Sequence, residues 1–121
     1  MYMQKKKNIY EKQYNIWRQR IFLSKIGFFP IFSSFEENII NLSPGAIKLY
    51  LYLGIHSNYQ TGKSYYSIST LADILRKSPR TISSWFKELE DNNIIVRKQE
   101  KLNGVSTTYL RPYYDREEKN E

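Results

Sequence analysis

The step Ser78-Pro79 constrains this chain more than any other, because it opens one helix a few residues after another has closed. A serine at that place accepts hydrogen bonds from the free amides of a new first turn, and proline at the first helical position has no amide to leave unsatisfied. Upstream, Leu71, Ala72, Ile74 and Leu75 fall at helical spacing behind Ser67 and Ser69 as N-cap candidates. Arg76 and Lys77 follow where the helix dipole favours cations, so this segment reads as a helix of about two to three turns. Downstream, Ile82, Phe86 and Leu89 recur at i, i+4 and i+7 and form an apolar stripe, leaving Arg80, Thr81, Ser83, Ser84 and Lys87 on the other side. Asn92-Asn93 tolerates the left-handed geometry that ends a helix, and the β-branched run Ile94-Ile95-Val96 predicts a strand directly after it. Residues 67–96 therefore read as a helix-turn-helix that runs into a strand.

The flanking sequence supplies partners for this unit. Leu42-Ser43-Pro44 is a second serine-proline start, and Ala46, Ile47, Tyr50, Leu51, Leu53 and Gly54 make the following helix apolar on most of its circumference. It is expected to be the helix against which the other two pack. Between them, residues 58–64 read as a polar loop and Tyr65-Tyr66 as a short strand. Beyond Val96, Arg97, Lys98 and Lys101 precede Asn103-Gly104, a hairpin signal, and residues 105–110 read as the returning strand. This hairpin has the position of a wing. Nearer the N-terminus, Gly27-Phe28-Phe29-Pro30 predicts an extended linker or short strand, and residues 33–41 a short turn of helix.

Residues 1–7 hold a lysine run with no packing pattern and read as a mobile arm; the charged run that ends at Glu121 reads as disordered. From residue 8 to residue 24, Tyr10, Tyr14, Trp17 and Ile21 recur at i, i+4, i+7 and i+11, with Ile9, Ile16 and Leu23 on a neighbouring line. That is an amphipathic helix with more apolar surface than a short helix needs. It either packs back across its own domain or meets a second copy, and the reading taken forward is a homodimer through Tyr10, Tyr14, Trp17 and Ile21.

Composition narrows the classes of function. The 121 residues suit one domain with an appended arm, and a net charge of +7 with 16% aromatic residues points to an acidic partner for a folded basic domain. No cysteine is present, which excludes disulfides, thiolate metal sites and thiol nucleophiles. No apolar run reaches the ~20 residues of a membrane span, so the expected location is the cytoplasm. His56 is the only histidine, which removes a Ser-His-Asp triad and any paired-histidine metal site. Gly62-Lys63-Ser64 lacks the earlier glycine and the preceding strand of a phosphate-binding loop. Tyr65, Tyr66, Tyr109, Tyr113 and Tyr114 read as stacking and packing residues, and Trp85 as packing beside the core stripe. Glu88, Glu90 and Asp91 read as a solvated face with local pairs to Lys87.

The segments LSPGAIKLYLYL and SISTLADILRKSPRTISSWFKELEDNNII together resemble the winged helix-turn-helix domains of plasmid and phage replication-initiator proteins and related small regulators of mobile elements. The resemblance runs from about Phe29 to Leu110, with Leu42-Ser43, Ala46, Tyr50, Leu71-Ala72, Ser78, Thr81, Leu89 and Asn93-Ile94-Ile95 as its framework. It implies that Ser78, Arg80, Thr81, Ser83, Ser84 and Lys87 face a DNA major groove while the hairpin touches the flanking backbone. Such initiators usually continue into a further domain, whereas a single domain is expected here. Independently, a major groove admits one helix, and its base edges and phosphates are read by arginine, lysine and short hydroxyl side chains, all of which residues 79–87 supply.

The expected fold is mainly α with a small β-hairpin (α+β), a winged helix-turn-helix with an N-terminal helical extension. Its divisions are a basic arm and amphipathic helix at 1–28, the winged domain at 29–112 and a charged tail at 113–121. The expected function is sequence-selective binding of double-stranded DNA in replication initiation or its control on a plasmid, phage or other mobile element. Lys98, Lys101 and Asn103 join the six residues of the second helix as DNA contacts. No cofactor, metal or catalytic residue is expected; the partners are double-stranded DNA, a second copy and a replication protein. The rival readings are a transcriptional repressor, a protein-binding adaptor of the replication machinery, and a nicking enzyme built on a tyrosine.

Overall fold

The computed structural model describes residues 6, 8–25, 27–99 and 106–114. Within them the chain runs α1 (Ile9–Leu23), a 3-10 turn (Ser33–Phe35) leading into α2 (Glu36–Asn41), α3 (Pro44–Ile55), β1 (Lys63–Ser64), α4 (Ile68–Leu75), α5 (Pro79–Asp91), β2 (Ile95–Lys98) and β3 (Thr107–Leu110). The three strands form one antiparallel sheet in the order β1-β3-β2, with Lys63 opposite Tyr109 and Val96 opposite the same residue on the other side. This is a winged helix-turn-helix: three helices, α3 to α5, with a small sheet at the end of α5 and a helical extension before them.

Local chemistry sets where the helices begin. Ser43, Ser67 and Ser78 each cap a helix by accepting a hydrogen bond from the amide three residues on, at 3.2, 3.0 and 3.1 Å. Asn8 caps α1 in a capping box, because Glu11 accepts in turn from the Asn8 amide. α4 ends at Leu75, one residue short of the basic pair expected in its last turn: Arg76 adopts a left-handed φ of 56° and the amide of Lys77 turns back to the Ala72 carbonyl. Asn93, with φ of 60°, closes α5 as the Asn92-Asn93 pair predicts.

The core is one cluster built from the buried sides of α3, α4, α5 and β2, including Leu49, Leu53, Leu71, Ile82, Phe86, Leu89, Ile94 and Ile95, with Phe35 and Leu42 closing it from the α2 side. Two expectations change. The helix that packs on both others is α5 rather than α3: its stripe Ile82, Phe86 and Leu89 is fully buried against α3 on one side and α4 and β2 on the other. Likewise the short strand lies at Lys63–Ser64, not at Tyr65-Tyr66. The Asn58 side chain accepts from the amides of Gln60 and Thr61, and Gly62 turns at φ of 70°. The chain thus reverses early enough for Lys63 to pair with β3 at once, leaving Tyr66 to pack against Tyr52 and His56.

Aromatic rings lie directly on the backbone of α3 at its two glycines. A Cβ on Gly45 would come within 2.1 Å of the Trp85 ring, and one on Gly54 within 2.2 Å of the Phe29 ring. The segment 27–32, expected as an extended linker or strand, forms no strand and is held to the domain by Phe29. α1 stands apart from this packing, with no buried residue of its own.

Candidate nucleic-acid interface

Burying Ile82, Phe86 and Leu89 turns the opposite side of α5 to solvent. Arg80, Ser84 and Lys87, at i, i+4 and i+7, form one exposed row along it. Ser83 is exposed beside this row and lines a shallow pocket with Ile68, Phe86, Lys87, Glu90, Asp91 and Arg97. Ser78 and Thr81 stand differently. The Ser78 hydroxyl caps the helix and lies 2.9 Å from the half-buried Thr81 hydroxyl, which places both at the N-terminal mouth of α5. Free amides point outward at such a mouth and the helix dipole favours an anion.

Lys87 also lies 3.6 Å from Asp91, with both side chains largely in water. Exposed pairs of this kind contribute about 0.3–0.5 kcal/mol, so the ammonium is available to a stronger anion. Lys98 is exposed at the end of β2, opposite Thr107 on β3. Lys101 and Asn103, expected as hairpin contacts, lie outside the described residues, as do the Asn103-Gly104 turn, most of the N-terminal arm and most of the charged tail.

Three long-range contacts that sequence reasoning did not foresee hold this surface in place. Arg97 projects from β2 over the Phe86 ring, 4.1 Å from its centre, and donates a long hydrogen bond of 3.4 Å to the Tyr66 carbonyl ahead of α4. It joins the strand pair to α5 and to the segment that leads into α4. Burial pushes its guanidinium pKa down, with Glu90 acting against that shift, and its Nε is out of solvent with no hydrogen-bond partner. Glu88, read from sequence as part of a solvated face, instead accepts from both the amide and the hydroxyl of Ser43. It pins the N-terminus of α3 to the last turn of α5. Gly45 admits Trp85, and that contact confirms Trp85 as a packing residue. None of these leaves a local signal, since each joins residues far apart in sequence.

The aromatic residues behind the motif are structural. The Tyr113 hydroxyl accepts from the Phe32 amide at 3.0 Å while its ring packs on Phe35. Burial, and then the nearby Tyr113, pushes the Tyr50 phenol far up, so it stays neutral. Of the residues expected to dimerise, Tyr10, Tyr14 and Trp17 are exposed and Ile21 is half-buried. Among the described residues, no helix is long and apolar enough to cross a membrane.

Residues 41–95 match the family model described as a helix-turn-helix domain. This part of the chain is similar to that family. The match covers α3, β1, α4 and α5 and stops at the first residue of β2, so α1 and the strand pair flank the helix-turn-helix domain. Two solved structures share the fold beyond it. One, described as the N-terminal domain of a DNA-binding protein, is 19% identical with a TM-score of 0.53, over 93% of this chain and 86% of that one. The other, described as the structure of a Rep–DNA complex, is 20% identical with a TM-score of 0.50, over 91% of this chain and 85% of that one. No curated protein matches the sequence. The helix-turn-helix domain and the exposed polar face of α5 together support DNA binding.

Proposed function

We propose that this chain binds double-stranded DNA sequence-selectively and without chemistry of its own, in the initiation or control of replication on a plasmid, phage or other mobile element. One observation carries the reading. Arg80, Ser84 and Lys87 form an exposed row on a helix whose opposite face is wholly buried, with a basic strand pair braced beside it. In this reading α5 enters the major groove, where Arg80 reads a base edge and Ser83, Ser84 and Lys87 contact bases or phosphates. Ser78 and Thr81 hold the helix mouth against a phosphate, and Lys98, Lys101 and Asn103 contact the backbone to one side.

Residues 29–112 act as the DNA-binding unit, residues 1–28 as a basic arm and dimerisation helix, and residues 113–121 as a charged tail. The reading of replication draws on the likeness in fold to a Rep–DNA complex; repression of a promoter would use the same DNA contacts. Selecting bound sequences from a random duplex pool tests the binding. A short consensus should emerge, arranged as an inverted repeat with half-sites about 34–36 Å apart or a multiple of that, because a two-fold dimer presents α5 twice. A pool that stays random through successive rounds would refute sequence-selective binding.

A further inference from the structure

An open pocket of about 350 Å³ lies between α5 and β2, with Phe86 and the Arg97 guanidinium, 4.1 Å above the centre of its ring, in its wall. Ser83 and Lys87, one turn apart on α5, line it beside them. The pocket is continuous with the exposed row of Arg80, Ser84 and Lys87, because Lys87 belongs to both.

A guanidinium carries five N–H donors. Among the described residues, Arg97 uses one of them, in the 3.4 Å bond to the Tyr66 carbonyl, and forms no ion pair. Its Nε is out of solvent without a partner. Thr108 lies directly opposite on β3 and its own buried hydroxyl is unpaired, so the sheet does not draw the guanidinium inward. The Phe86 ring instead holds it toward α5, half-buried and short of acceptors. A charge that has given up water and lacks an ion pair gains most from an anion that accepts two N–H bonds at once, as a phosphate does.

The pocket has two unlike ends. Glu90 and Asp91 also line it, but Ser83 is about 10 Å from them along the helix at 1.5 Å per residue, with Phe86, Lys87 and Arg97 between. We infer that the Ser83 end takes one phosphate of the DNA backbone, held by Arg97, Lys87 and the Ser83 hydroxyl, while Glu90 repels phosphates from the other end. This rests on the DNA-binding reading above and adds Arg97 to its contacts. The side chain that braces β2 on α5 thereby fixes where along α5 the DNA strand lies.

Salt titration of full-length variants on the selected duplex tests the subsite, because each phosphate neutralised contributes about 0.9 to the slope of log affinity against log salt. Arg97→Gln should lose about 0.9 of that slope and bind about tenfold or more weakly at 50 mM salt. Arg97→Lys keeps the charge without the planar fork, so it should bind below the parent at the parental slope. An Arg97→Gln protein that keeps its thermal transition and the parental slope would overturn the inference, since a brace alone changes affinity and not the number of phosphates held. Glu90 is exposed, so Glu90→Gln leaves the packing of Arg97 intact and gives a second arm. Affinity should rise about two- to fivefold at 50 mM salt, and the gain should vanish in the double variant with Arg97→Gln. An unchanged or lower affinity, or a gain that persists in the double variant, would likewise overturn it. A parent that binds no duplex removes the DNA-binding reading itself, whereas a parent that binds while these variants behave otherwise removes the subsite alone.

Discussion

Arg80 and Lys98 are both exposed cations, yet they sit on different parts of the surface and should fail differently. Arg80 is on the outward row of α5 and Lys98 at the end of β2. Arg80→Ala should cost about 1–3 kcal/mol on the selected site and much less on random duplex, whereas Lys98→Ala should weaken both alike. Competition titrations with the two DNAs give the comparison, and equal losses from both variants would reduce Arg80 to a phosphate contact. Gly45 is a position of a different kind, because its substitution acts on stability rather than on DNA. Its missing Cβ is what admits the Trp85 ring to α3. Gly45→Ala should push Trp85 off the helix and destabilise the domain by about 1–3 kcal/mol, despite the better helix propensity of alanine. Thermal denaturation would show the loss.

At the scale of elements, what was legible in the sequence is what nearest neighbours decide. Ser43, Ser67 and Ser78 announce helix starts because a cap bonds an amide only three residues away, and the α5 stripe shows its inward face because 3.6 residues make a turn. The strand at Lys63–Ser64 was not legible, since its position follows from how the Asn58 side chain folds the loop and from pairing with β3 more than forty residues on. The same holds within the candidate interface: the row on α5 could be read, but its supports could not. Arg97 lying on Phe86 and Glu88 reaching Ser43 exist only once the chain has folded. Two consequences distinguish these layers. Ser78→Ala should cost about 0.5–2 kcal/mol of stability through the lost cap. Arg97→Ala should cost about 0.5–2 kcal/mol through the lost stacking and also loosen the strand pair relative to α5. Amide exchange in β2 and β3 would rise in the Arg97 variant and stay near parental in the Ser78 variant.

For the whole molecule, the fold class followed from order and pattern, while the fate of α1 did not. Its stripe predicts burial somewhere, and within one chain that burial is not found: Tyr10, Tyr14 and Trp17 remain exposed. Periodicity reports that a face is apolar and is silent about what covers it. If a second copy covers it, Trp17→Glu should give a folded monomer with an unchanged thermal transition and weaker binding to an inverted repeat, seen together by sedimentation and DNA titration. If α1 belonged to its own core, the same change would unfold the protein.

The central claim, that the exposed face of α5 reads duplex DNA within a field of phosphate contacts, is tested most directly by titrating parent and Arg80→Ala protein against the selected duplex from 50 to 200 mM salt. Parental affinity should fall by roughly 10³ or more over that range, for about six or more phosphates neutralised. Arg80→Ala should run below the parent at nearly the same slope, displaced by the loss of a base contact. An affinity that is flat with salt, or an Arg80→Ala line that coincides with the parent's, would contradict it.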